Sequence, residues 1–171
     1  MIFNALQISE FLPRRMHGLR DTMKAEIFSN EFLQVIVPDN WKLFLGIDAE
    51  GNATRKKLHI FKNANSELDI FHKAGITIHY YEDAEQYFLI KDFYDEVRDI
   101  APFELGNYCW NGFTCRSLGY PYIMLETMEN TVKLLVMILT ENGENKITFS
   151  DSDVQQIMQS IVAGRREGDH S

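Results

Sequence analysis

The chain has 171 residues, of which 45% are hydrophobic and 25% are charged, a composition that excludes a wholly disordered, collagen-like or coiled-coil protein. Its formal net charge of −8 disfavours nucleic-acid binding over a broad face, because like charges repel at long range. The longest strongly apolar run, residues 134–139, is far shorter than the roughly 20 residues that a membrane-spanning helix needs, so no membrane span is predicted.

Residues 1–25 are predicted to form an N-terminal arm, because the helical spacing of the first apolar residues stops at Pro13. A single domain is predicted for residues 26–163, followed by a polar tail at residues 164–171. The start of the chain shows neither a secretory pattern nor an acid-free transit peptide, so a cytoplasmic location is the default prediction.

The first half of the domain is rich in predicted strands. Alternating apolar side chains predict a first strand over residues 26–37, and a turn follows at Pro38. Shorter patterns predict further strands at residues 58–61 and 76–81.

A helix is predicted over residues 83–100. Asp83 is a suitable N-cap, and Pro102 marks the end. The apolar residues with the spacing of one helix face are Ile90, Phe93, Tyr94 and Val97.

The second half is predicted to contain hairpins and a closing helix. Asn111–Gly112 is a typical two-residue hairpin turn, and the strand over residues 134–139 is apolar on both faces and therefore central. A helix begins near Ser150 and ends at Gly164. Its predicted apolar stripe consists of Val154, Ile157, Met158 and Ile161. One helix for each side of a central strand predicts an α+β fold, a three-layer α/β/α sandwich with a mostly antiparallel sheet and helices on both faces.

No catalytic, cofactor or metal site is predicted, because phosphate-binding loops, nucleophile elbows and zinc motifs are missing. Cys109 and Cys115 form no disulfide framework, and a two-residue turn at Asn111–Gly112 would point them to opposite faces. Both are interpreted as buried, unpaired thiols. A calcium-binding loop beginning at Asp48 is disfavoured, because His59 stands where the bidentate glutamate should be.

Three aromatic residues lie at two neighbouring predicted turns, residues 111–112 and residues 119–121: Trp110, Tyr120 and Tyr122. Aromatic side chains on turns serve as binding anchors, and these three are the candidate binding residues. The competing interpretation, which the sequence favours, is that they cap the core.

Residues 31–41, which run through Pro38 to Trp41, resemble the opening strand of the PsbP-like superfamily, in which an extended segment enters a Pro-x-x-Trp turn. A turn glycine at Gly112, the apolar strand and the closing helix follow in the same order. The superfamily includes the photosystem II extrinsic protein P, the Ran guanine-nucleotide release factor and chaperones of type VI secretion effectors. The resemblance implies an α/β/α sandwich that acts as a binding module without a shared catalytic site.

The predicted function is that of a non-catalytic protein-interaction module, not an enzyme: an adaptor, an effector chaperone or a toxin-neutralising protein with a protein partner. Two alternatives stay open. One is a small hydrolase that uses a cysteine or a histidine, and the other is an exported PsbP-like domain from which the signal sequence has been removed.

Overall fold

The computed structural model describes residues 24–82 and 89–164. The strands in these ranges are β1 (Ala25–Ser29), β2 (Leu33–Pro38), β3 (Trp41–Ile47), β4 (Ala53–Lys62), β5 (Gly75–Tyr81), β6 (Asp95–Leu105), β7 (Tyr108–Ser117), β8 (Tyr120–Glu129), β9 (Val132–Leu139), β10 (Glu141–Asn142), β11 (Asn145–Lys146) and β12 (Val162–Ala163). The helices are α1 (Ser152–Ser160) and two short 3-10 helices, Glu67–Phe71 and Lys91–Phe93.

Seven strands form one antiparallel sheet in the order β3-β4-β5-β9-β8-β7-β6. The prediction of a central strand at residues 134–139 is confirmed, since β9 is fourth of the seven. Ile138 stands directly between Ile76 of β5 and Ile123 of β8. Side chains on both faces of β9 are buried, including Leu135 on one face and Val136 on the other.

One face of this sheet, here called the helix face, is covered by α1 and by a second sheet of order β1-β2-β12. Val154 and Ile157 of α1 belong to the same buried cluster as Ile78 and Val136 of the large sheet. Leu33 of β2 completes the contact between the two sheets. The apolar stripe predicted for the closing helix is confirmed, although the helix is capped by Asp151 rather than Ser150.

The predicted three-layer α/β/α sandwich is wrong. Within residues 24–82 and 89–164, α1 is the one α-helix, and it lies on the helix face. The opposite face, here called the open face, has no α-helix over it in the described part of the chain. The fold is mostly β, with a large antiparallel sheet as its centre.

The predicted helix over residues 83–100 is the source of that error. Residues 83–88 lie outside the described ranges, but Asp95–Leu105 is the edge strand β6, paired with β7. Two irregularities in its register, at 95/98 and 100/103, break the alternation that identifies a strand. Tyr94 and Val97 pack beside Phe113 on the open face, so their spacing reflects a surface they share with β7 and not a helix.

The first predicted strand, residues 26–37, is two strands joined by a tight turn. The side-chain Oδ1 of Asn30 accepts hydrogen bonds from the backbone N–H groups of Phe32 and Leu33, both at 2.8 Å. This reverses the chain, so that β1 pairs with β2. The apolar alternation continues through the turn and therefore conceals it.

Asn111–Gly112 is not a hairpin turn. Both residues lie inside β7, opposite Glu126 and Leu125 of β8. A Cβ atom on Gly112 would overlap the carbonyl oxygen of Met124, so the glycine permits a close approach of two backbones and not a reversal of the chain. The turn between β7 and β8 is Leu118–Gly119.

The predicted arm up to residue 23 and the predicted tail beyond residue 164 lie outside the described ranges. Among the described helices, none combines the length and apolar character needed to cross a bilayer.

Candidate functional site

Five large apolar side chains are exposed at one end of the seven-stranded sheet, where β5, β6 and β8 begin and β7 and β9 finish. We call this the basal end. Its exposed apolar residues are Leu68, Phe71, Phe93, Leu118 and Tyr120. All except Tyr120 stand on connecting segments, and Tyr120 is the first residue of its strand. Exposed apolar surface gathered in this way is typical of interaction sites.

Leu118 is the residue of the basal end that folding explains least. It occupies the first central position of the two-residue turn between β7 and β8, and both Leu118 (φ 52°) and Gly119 (φ 83°) have positive φ, as in a type I′ turn. Asparagine is preferred there, whereas a residue such as leucine pays roughly 1–2 kcal/mol for the left-handed conformation. The side chain is 94% exposed, so no packing offsets that strain.

Arg116 fixes the position of this turn. Its Nη1 donates a hydrogen bond to the carbonyl oxygen of Gly119 at 2.7 Å, and its Nε donates to Glu96 Oε2 at 3.3 Å. The turn is thereby tied to β6 at the sheet edge. Leu118 is consequently presented from a fixed backbone, which limits the entropy that a partner would have to remove on binding.

The basal end is acidic. At this end, the carboxylates without an ion pair to a described residue include Glu67, Asp69 and Asp92 on the 3-10 helices, Asp95 at the start of β6 and Glu144 in the turn between β10 and β11. Backbone N–H groups of Asn65 and Ser66 donate to Asp69 and lower the pKa of that carboxyl. Against these stand two ammonium groups, those of Lys73 and Lys42, and Lys42 Nζ donates to the Asn65 carbonyl at 3.2 Å.

Two histidines form a separate cluster on the open face, away from the basal end. His59 of β4 lies opposite Thr77 of β5, with 2.8 Å between His59 Nδ1 and Thr77 Oγ1. The His79 ring stacks on Tyr81, with 4.0 Å between ring centroids. Burial, aided by the charge of Lys57, lowers the pKa of each histidine to about 4. Thr77 is only 7% exposed, so this pair does not offer its hydroxyl to a substrate.

The two histidines predict a loss of stability in mild acid. Their pKa values are about 4 in the folded chain and about 6.5 when unfolded, so folding favours the neutral form. The contribution of the two histidines to the free energy of unfolding is complete above pH 6.5. This contribution is lost as the pH falls from 6.5 towards 4, and the loss is about 1–2 kcal/mol per histidine after allowance for solvent screening. Urea denaturation at several pH values measures this slope. His79→Asn should flatten it, whereas the exposed control His72→Gln should not, and an equal slope in all three proteins would contradict the assignment.

The two cysteines differ in their exposure. Cys115 is buried beside Phe113 and Met124, and burial raises the pKa of its thiol, which lowers the fraction of reactive thiolate. Cys109 is exposed, so the prediction of two buried thiols is correct for Cys115 and wrong for Cys109. Within the described ranges, no three His, Cys, Asp or Glu side chains are grouped as a metal site would require.

A shallow cleft of about 410 Å³ lies where α1 begins beside the turn between β2 and β3. Asp153 in this cleft accepts hydrogen bonds from Trp41 Nε1 and Lys62 Nζ, both at 2.9 Å. Burial by itself would raise the pKa of Asp153, but these two donors outweigh it and lower the pKa below its ordinary value. The ion pair of Asp153 with Lys62 and its hydrogen bond from Trp41 attach α1 to the large sheet.

The structure separates one of the three candidate binding residues, Trp110, from Tyr120 and Tyr122, which are neighbours on β8. Trp110 is 0% exposed on the helix face, where its Nε1 donates to the Leu105 carbonyl at 3.2 Å. Tyr122 is half-buried on the open face beside Leu139, and Tyr120 alone stands at the exposed basal end. The sequence signal for Leu118 is an apolar residue directly before a glycine in a two-residue turn. The predicted turn at residues 119–121 lies one residue later than the observed turn, Leu118–Gly119, and therefore leaves Leu118 outside it.

No protein-family model matches this chain, and no curated protein matches it. Among solved structures, a protein from Bacteroides thetaiotaomicron VPI-5482 is similar, with a TM-score of 0.49 and 10% identity. The match covers 84% of this chain and 49% of the other, so this chain spans about half the length of that protein. A likeness at this level carries no argument about function. The resemblance to the PsbP-like superfamily stays a prediction, while the sandwich that it implied is wrong.

Proposed function

We propose that this protein is a non-catalytic interaction module that binds a protein partner through its basal end. The observation that supports it most directly is Leu118, an almost fully exposed leucine held in a strained turn conformation. Backbone strain that is not offset by contacts in the folded protein is typical of functional sites. The proposal includes an adaptor, an effector chaperone and a toxin-neutralising protein, each of which binds a protein partner.

The aromatic side chains of the basal end supply suitable anchors. Phe71 and Phe93 are 67% and 78% exposed, and both are carried by short 3-10 helices at the sheet end. Rigid aromatic rings lose little entropy on binding and contribute large contact areas, which is why aromatic residues are enriched at protein interfaces. The sheet behind them provides a fixed support for the whole surface.

A Leu118→Asn variant should be more stable than the parent protein and should bind its partner less well. Asparagine suits the left-handed conformation, so we expect a gain of about 1 kcal/mol in the free energy of unfolding. Chemical denaturation measures it. The control is the reverse substitution at Asn130 (φ 55°), in the turn after β8. The Asn130→Leu variant should lose a similar amount of free energy of unfolding. A less stable Leu118→Asn protein would show that Leu118 serves the fold.

Site-specific photo-cross-linking tests the proposed function in the organism that makes the protein. A photoreactive phenylalanine analogue replaces Leu118 in one variant and Met128, an exposed residue at the opposite end of the sheet, in the control. We expect a discrete adduct of higher mass from position 118 and none from position 128. The proposed function is overturned by the lack of an adduct at position 118, or by the same adducts from both positions.

A further inference from the structure

We infer that the partner segment bound by the basal end is a basic amphipathic polypeptide, with lysine or arginine side chains beside an apolar face. This inference rests on the proposed function and deepens it. Two features of the same surface lead to it: five carboxylates without an ion pair to a described residue, and exposed apolar anchors set among them.

The charge at this end selects among possible occupants. Among the described residues, the five carboxylates without an ion pair outnumber the ammonium groups of Lys42 and Lys73 and leave the surface negative. Arg116 and Lys146 each neutralise one further glutamate. Complementary charge steers association and suppresses wrong partners. An anionic membrane surface and a second copy of the same acidic end would both be repelled, whereas a basic segment is attracted.

The spacing of the anchors sets the length of the segment. Phe71 precedes β5, and Leu118 follows β7, with β9 and β8 between those strands. Three strand steps place the two sites roughly 14 Å apart. A helix of about ten residues spans that distance, so an amphipathic segment of this size can cover both anchors. The carboxylates lie beside the anchors, with Glu67 on the 3-10 helix that ends at Phe71 and Asp95 at the start of β6, next to β7.

Pairing of a partner strand with the β6 edge of the sheet is disfavoured. The edge strand β6 carries two register irregularities and the exposed charged residues Glu96, Arg98 and Asp99, and bulges with charges protect an edge against further strands. The basal end, in contrast, is built from turns and short 3-10 helices that project side chains. Recognition there depends on anchors and charge, as in the docking of an amphipathic helix.

Two model peptides of about 14 residues test the inference, one built from leucine and lysine and the other with glutamate in place of each lysine. Fluorescence anisotropy of the labelled peptides gives Kd at low and high salt. We expect the lysine peptide to bind and to lose at least about tenfold in affinity between about 50 and 300 mM NaCl, since screening weakens exposed charge pairs. Equal binding of the glutamate peptide would overturn the inference.

Variants of the protein test whether the lysine peptide binds at the basal end. Neutralising three carboxylates, with Glu67→Gln, Asp92→Asn and Asp95→Asn, should raise Kd at least about tenfold and reduce its salt dependence. Phe71→Ser should weaken binding without changing the salt dependence. The matched control, Met128→Ser with Glu129→Gln at the opposite end, should leave Kd unchanged. An equal loss in the control would show non-specific attraction and overturn the inference.

The two proposals fail in distinguishable ways. A partner that cross-links to position 118 through an acidic or neutral segment would overturn the basic-segment inference and leave the interaction function standing. The lack of any cross-link at position 118 would overturn the interaction function itself.

Discussion

An Ile138→Asp variant is expected not to fold. Ile138 is 0% exposed in the middle of the central strand β9, between Ile76 and Ile123 on the helix face. An unpaired carboxylate at such a position costs several kcal/mol, whether it stays charged or takes up a proton. Domains of this size are stable by only about 5–15 kcal/mol, so one such substitution removes most of the margin.

Circular dichroism and urea denaturation measure this outcome. The control is Glu129→Ala, at the exposed end of β8, where we expect a change of about 0.5 kcal/mol or less. A cooperatively unfolding Ile138→Asp protein with a near-native spectrum would contradict the central position of β9.

A Gly112→Ala variant is expected to lose at least about 3 kcal/mol, because the added methyl group meets backbone and not a flexible side chain. Its Cβ would overlap the carbonyl oxygen of Met124 on β8, so two paired strands must move apart in the middle of the sheet. Trp110 and Phe113 flank this position, one buried on each face, and they limit how far β7 can shift.

The midpoint of urea unfolding provides the measurement, with Asn111→Ala as the matched control on the same strand. Asn111 is exposed and makes only a long hydrogen bond of 3.5 Å to the Glu126 carbonyl, so we expect little change there. If the two alanine variants unfolded at the same urea concentration, the close approach of β7 and β8 at Gly112 would be disproved.

Stability and the proposed function are carried by different parts of the molecule. The residues whose replacement should unfold the chain lie within the strands, whereas Leu118 and Phe71 lie on connections at the basal end. Binding residues are commonly found on loops that a rigid scaffold holds in place. Substitutions at the basal end should therefore change partner affinity in a protein that stays folded.

The sequence by itself determined the elements whose side-chain pattern is local and uninterrupted. Consecutive apolar residues identified β9 as central, because only a strand covered on both faces buries every side chain. Alternation identified β5, and the 3.6-residue spacing of Val154, Ile157 and Met158 identified α1. In each case the spacing of the buried residues equals the period of the backbone, so no knowledge of distant contacts was needed.

Only the tertiary structure decided β6, the role of Gly112 and the candidate site. Irregular register removed the alternation from β6, so its residues imitated a helix. Gly112 is explained by the approach of Met124, a residue of another strand, and not by its own neighbours in sequence. The basal end joins Phe71, Phe93 and Leu118, which lie far apart in the chain and meet only because their strands pair in a non-sequential order. Their position at one end of the sheet is therefore a property of strand pairing, which short-range patterns do not encode.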